Sequence, residues 1–262
     1  MPEPAVPSAP TGDLAGRTAL VTGAGTGMGA ATALLFAEHG ANVVVADLDE
    51  AAGSSTVEAI TSRGGAAHFV RADVSSEPDV AAMVTSTVQR FGRLDVAVNN
   101  AAVPPDTAPL VELDLEVFDR VIGVDLRGVA VCLKHEIRQF LSQGTPAAIV
   151  NIGSISSVRV RANNAAYVAA KHGVVGLTKL AAVEYGAQGI RVNAVLPGAV
   201  DTPMIRKARE ASGGPADEYA FSLFGRLGTP REIAEATLWL ASDKASYVTG
   251  HCLAVDAGYL AR

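Results

Sequence analysis

Tyr167 and Lys171 stand four residues apart in a stretch of helical composition, which puts a phenol and an ammonium on one helix face. Taken alone, such a pair is common by chance and usually means two amphipathic side chains snorkelling at a surface. Ser154 shifts the balance. It lies thirteen residues before Tyr167, just past the apolar run AAIVNIG (147–153). In a parallel sheet the carboxyl ends of the strands face the crevice where ligands bind. Asn99-Asn100, Pro197-Gly198 and a glycine-rich turn close other apolar runs in the same way.

That turn reads Thr22-Gly23-Ala24-Gly25-Thr26-Gly27-Met28-Gly29, between the run TALVTG (18–23) and a helical stretch. Gly23, Gly27 and Gly29 allow a tight turn and a close backbone approach, and Thr26 and Met28 lie where a helix N-terminus would offer N–H groups to a pyrophosphate. A glycine cluster is weak evidence by itself; its place between a strand and a helix gives it weight. The next run, NVVVAD (42–47), ends at Asp47, 24 residues after Gly23. A carboxylate there can accept bonds from ribose hydroxyls and repel a 2′-phosphate. The competing reading of Asp47 is a helix cap or solvated loop acid. Leu48 follows it, and no Arg or Lys stands in the glycine turn or just after Asp47, so the cofactor expected is NAD.

The elements that must position these residues alternate along the chain. Further apolar runs occupy AHFVRAD (67–73), LDVAVNN (94–100), RVNAVLPG (191–198) and HCLAVD (251–256). Near-continuous apolar runs suit strands covered on both faces. Helical stretches fill roughly 28–39, 49–63, 76–90, 113–142, 164–185 and 230–241, several ending at a glycine such as Gly40, Gly64 or Gly92. Such alternation predicts an α/β Rossmann-type doubly wound fold, a seven-stranded and mostly parallel sheet with helices on both faces. Residues 1–13, with four prolines in the first dozen, read as a flexible tail, and 14–262 as one domain. The segment 199–229 reads as the longest irregular stretch, a candidate lid carrying Met204, Ile205, Ala220, Phe221, Leu223 and Phe224.

Composition narrows the function. Apolar residues make up 49% of the 262, enough for a large core, while 21 basic against 27 acidic residues give a net charge of −6. No basic cluster is present, which disfavours nucleic acid. No run of about 18 apolar residues suggests a membrane helix, and the proline-rich start lacks the basic and apolar regions of a signal peptide, so a cytoplasmic protein is expected. Cys132 and Cys252 match no metal spacing.

Together these motifs resemble a short-chain dehydrogenase/reductase of the single-domain type. The matching residues are the Thr22–Gly29 turn, Asp73-Val74, Asn99-Asn100-Ala101-Ala102, Ser154, Tyr167-Val168-Ala169-Ala170-Lys171, and Pro197-Gly198 followed by Thr202. The resemblance implies hydride transfer between NAD(H) and a small-molecule secondary alcohol or ketone. Tyr167 would be the general acid/base, Lys171 would favour its phenolate and hold the nicotinamide ribose, and Ser154 would orient the substrate oxygen. Asp73 and Val74 would flank the adenine, Asn99 and Ala101 would line the cofactor cleft, and Pro197, Gly198, Val200 and Thr202 would border the nicotinamide. The family usually has asparagine where this chain has Asp125; the resemblance implies that Asp125 accepts from a water linked to Lys171, its charge tempering the pull of Lys171 on Tyr167. It also implies a homotetramer. An NADPH-dependent 3-oxoacyl carrier-protein reductase and a non-catalytic NAD(H)-binding protein are the rival readings. Asp47 argues against the first, and the Ser154–Tyr167–Lys171 set against the second.

Overall fold

A computed structural model describes residues 12–212 and 222–261. Its seven strands are β1 (Thr18–Thr22), β2 (Asn42–Asp47), β3 (Ala66–Arg71), β4 (Val96–Asn99), β5 (Ala147–Ile152), β6 (Ile190–Pro197) and β7 (Cys252–Val255). They form one sheet in the order β3-β2-β1-β4-β5-β6-β7. Every neighbouring pair is parallel. The expected alternation is therefore the observed one, with the sheet wholly parallel. The winding reverses between β1 and β4, and open α/β sheets bind ligands at such a switch point.

Helices cover both faces. They are α1 (Gly27–Glu38), α2 (Glu50–Thr61), α3 (Glu77–Phe91), α4 (Leu115–Ile122), α5 (Val129–Gln143), α6 (Ala165–Tyr185), α7 (Pro203–Ser212) and α8 (Pro230–Ala241). One core layer packs Leu35, Phe36, Ile60, Ile233 and Leu238 against the sheet. The other packs Met83, Leu133, Ile137, Phe140 and Val174 against the opposite face. Strands β1, β4 and β5 are buried along their whole length, which is why their sequences run apolar rather than alternating.

Two stretches differ from the sequence reading. The helical stretch at 113–142 is broken by a π-helical turn, Gly123–Gly128, between α4 and α5. Such turns recur at functional sites, and this one carries Asp125. The segment 199–229 is not irregular throughout, because α7 occupies its first third. Pro203 stands at the first helical position, where its missing N–H costs nothing. The expected tail falls, for residues 1–11, outside the described residues, as do Ala220 and Phe221 of the candidate lid. Among the described residues no helix is long and apolar enough to cross a membrane.

Candidate active site

The site grows from the ends of β1 and β4. The Thr22 hydroxyl donates to Val98 O and accepts the backbone N–H groups of Asn100 and Ala101 at 3.0 and 3.1 Å. The Asn100 amide returns across the gap, donating to the carbonyls of Thr22 and Gly23 at 2.9 and 3.0 Å. The glycine turn is thus clamped to the tip of β4. Gly23 has a φ of +62°, and a Cβ there would meet Ala101 Cα at 2.8 Å. A Cβ on Gly29 would stand 2.1 Å from the Gly23 carbonyl oxygen, so only glycine lets α1 start this close to β1. Thr26 precedes α1 and makes no side-chain cap bond.

Asp47, at the tip of β2, is anchored by the same turn. Its Oδ2 accepts the Gly25 N–H at 2.7 Å and its Oδ1 accepts the Asp49 N–H at 2.9 Å. Sequence reading placed no basic residue beside it. The fold brings Arg71 into register with it on β3 and sets Arg120 on the cleft that Asp47 also lines. Both are brought in by parallel pairing and helix placement, which chain proximity cannot show.

The cleft has a volume of about 520 Å³. Gly23, Thr26, Gly27, Met28, Asp47, Leu48, Asp73, Val74, Ala101, Tyr167, Lys171 and Thr202 line it, together with Val103, Val124, Gly153, Pro203 and Met204. Seven expected site residues lie off its lining. Gly29 is packed behind the glycine turn, and Asp125 is fully buried. Asn99 is buried and turned into the sheet, its amide donating to Glu136 Oε2 and Asn151 Oδ1 at 3.1 and 3.0 Å. Its side chain therefore serves the core, and only its backbone can serve the cleft. Ser154 is buried at the end of β5, with Oγ accepting the Ser156 N–H at 3.0 Å. Pro197 is buried at the end of β6, and Gly198 lines a neighbouring cavity of about 300 Å³ with Ile155, Phe224 and Tyr259. Val200 is buried and bridges to Gly228.

Lys171 is only 3% exposed. Its ammonium donates to Ile152 O at 3.3 Å, pairs with Asp125 Oδ2 at 3.2 Å and stands 5.4 Å from the centre of the Tyr167 ring. Burial opposes its charge, but the carboxylate of Asp125 and the phenol of Tyr167 outweigh it, so its pKa lies above the ordinary lysine value. The other oxygen of Asp125 accepts the Val103 N–H at 2.9 Å. Asp125 thus touches Lys171 directly, where the sequence reading had a water between them.

Two further carboxylates escaped the sequence reading. Asp106, buried in the β4–α4 loop, accepts the backbone N–H groups of Ala166 and Tyr167. No motif or spacing marks it. Glu136, wholly buried on α5, is pushed by burial up to about 7, against which its bond from Asn99 works only in part. An acid among apolar α5 positions Val129, Leu133, Ile137 and Phe140 was its only signal.

Comparison with known proteins agrees with this geometry. A family model described as Enoyl-(acyl carrier protein) reductase matches residues 23–260. The chain is 48% identical over 248 residues to a short chain dehydrogenase/reductase of Aspergillus oryzae, covering 94% of this chain and 95% of that one. It is 49% identical over 249 residues to the cis-4-hydroxycyclohexanecarboxylate dehydrogenase of Sinomonas cyclohexanicum, covering 94% and 97%. A crystal structure of an Agrobacterium tumefaciens protein with bound NADP superposes with a TM-score of 0.86 at 36% identity, over 97% of this chain and 100% of that one. The chain belongs to the short-chain dehydrogenase/reductase family. It is an oxidoreductase of secondary alcohols or the matching ketones, and the Agrobacterium tumefaciens neighbour holds NADP.

Proposed function

We propose that this enzyme oxidises a secondary alcohol on a small apolar, ring-sized substrate, or reduces the matching ketone, and that it prefers NAD to NADP. One observation carries the reading: Tyr167, backed by the buried Lys171–Asp125 pair, opens on the same cleft as the glycine turn and Asp47.

The lining fits a dinucleotide. The N-terminus of α1 faces the cleft with its cap side chain unengaged, leaving backbone N–H groups for a pyrophosphate. Asp47 would take the adenine ribose, Asp73 and Val74 the adenine, and Lys171 the nicotinamide ribose. When bound, the nicotinamide ring supplies the hydride acceptor or donor. Tyr167 takes the hydroxyl proton of the alcohol as the carbonyl forms, and returns it in reduction. The Lys171 ammonium stabilises the phenolate through space. Ser154 Oγ already accepts the Ser156 N–H, so its own proton is left to hold the substrate oxygen. Asn99, Ala101, Pro197, Gly198, Val200 and Thr202 shape the nicotinamide end through backbone or packing. Val103 and Met204 give the substrate side an apolar wall, and the relative acting on a hydroxycyclohexane carboxylate supports a cyclic alcohol.

The same reading carries a homotetramer in the cytoplasm. Leu115 on α4 and Leu180 and Val183 on α6 are exposed at 67%, 52% and 84%, which a second copy of the chain would cover. The test is NADH formation from a panel of cyclohexanol, cis-4-hydroxycyclohexanecarboxylate and open-chain secondary alcohols. Turnover of a ring alcohol with NAD is expected; no turnover of any secondary alcohol with either cofactor would defeat the proposal.

A further inference from the structure

We infer that Asp106 is a positioning residue for Tyr167, holding the first turn of the catalytic helix from outside that helix. The inference rests on the reading of Tyr167 as the acid/base. Helix α6 begins at Ala165, and the residue before it, Asn164, makes no side-chain cap bond. The first N–H groups of a helix have no partner within it. Here Asp106, sixty residues earlier in the chain, accepts two of them: Oδ2 takes the Ala166 N–H at 3.2 Å and Oδ1 takes the Tyr167 N–H at 3.1 Å. Asn164 turns the other way, donating its side-chain amide to the carbonyl oxygen of Asp106. The carboxylate is 5% exposed, and its charge complements the positive end of the helix.

The same short loop is tied to Lys171. Val103, three residues before Asp106, donates its N–H to Asp125, whose other oxygen pairs with Lys171. Pro104 and Pro105 lie between the two anchor points and restrict the backbone there. A frame results, running from Lys171 through Asp125, Val103 and Asp106 to the backbone of Tyr167. Val103 also lines the cleft. The wall met by a substrate and the phenol that serves it are therefore fixed to one another. A local cap from Asn164 would hold the helix end without joining it to this loop through the carboxylate. Catalysis by an oriented acid/base depends on such fixing, and a shift of about 1 Å can cost on the order of a hundredfold.

The test uses the full-length enzyme with cyclohexanol and NAD, comparing Asp106→Ala, Asp106→Asn and Asp106→Leu with the parent. Asp106→Ala removes both acceptors and is expected to lower kcat by roughly ten- to a hundredfold. NADH affinity and the circular dichroism spectrum should stay unchanged. Asp106→Asn keeps the volume and one acceptor oxygen and should recover much of the loss, whereas Asp106→Leu, which restores bulk without an acceptor, should not. A folded Asp106→Ala enzyme with parental kcat overturns the inference, and so does an Asp106→Asn enzyme no better than Asp106→Ala. Tyr167→Phe, assayed alongside, separates the two levels: if it keeps turnover, the acid/base reading itself has failed.

Discussion

Glu136 places an ionisable acid where water cannot reach it, and its removal has a calculable effect. Burial raises its pKa from 4.5 to about 7. A folded-state pKa above the unfolded one means that the folded chain holds the proton more tightly. Stability is then full below about pH 4.5 and falls as pH rises toward 7, where the folded acid must also ionise. The gap corresponds to about 3 kcal/mol lost across that window, at 1.36 kcal/mol per unit. Glu136→Gln keeps the shape and the oxygen that accepts from Asn99 but cannot ionise. Urea unfolding of parent and variant at steps from pH 4.5 to 8 gives the difference directly, and groups common to both cancel. The variant should gain on the parent by up to about 3 kcal/mol between the two ends of that range. A constant difference across the range would show that Glu136 does not titrate there, and that the buried Asn99–Glu136–Asn151 network holds a charged carboxylate after all.

Two other substitutions probe the cleft. Asp47 should give NAD at least about a hundredfold advantage over NADP in kcat/KM, because a charge-assisted ribose contact is worth about 1.5–3 kcal/mol and a 2′-phosphate would be repelled. Asp47→Ser should erase most of that preference, chiefly by weakening NAD, whereas equal values in the parent would mean that Asp47 does not hold the ribose. Asp125→Asn should keep turnover, since its oxygen can still accept from Val103, but it leaves the Lys171 ammonium buried without its anion. Its unfolding stability should fall by about 3–5 kcal/mol, the loss typical of a broken buried pair, and a folded but inactive variant would give the carboxylate a chemical part of its own.

Much of this architecture is written locally in the chain. Apolar runs buried on both faces, such as LVT of β1 and VAVN of β4, and glycines after helix ends, such as Gly92 in the left-handed region, mark strands and stops without reference to anything distant. The π turn around Asp125 and the short helix α7 were not legible, because neither has a long apolar period to betray it. The site divides in the same way. Tyr167 and Lys171 become legible through their spacing taken together with Ser154 at the end of an apolar run, and the glycine turn by its place between strand and helix. Asp106 and Arg120 reach the site through packing between segments far apart in sequence, which periodicity does not record. Asn99 illustrates the converse: its place at a strand end suggested the cleft, but the alternation of side chains along β4 sends its amide to Glu136 in the core.

Turnover by Tyr167→Phe tests the central claim most directly. The substitution keeps the ring beside Lys171 and removes only the hydroxyl. General acid/base catalysis contributes typically 10²–10⁴-fold, so kcat with NAD and a ring alcohol should fall by at least about that factor, with NADH binding unchanged. A correctly folded Tyr167→Phe enzyme that turns over at close to the parental rate would contradict the account, because the proton would then be moving through another group.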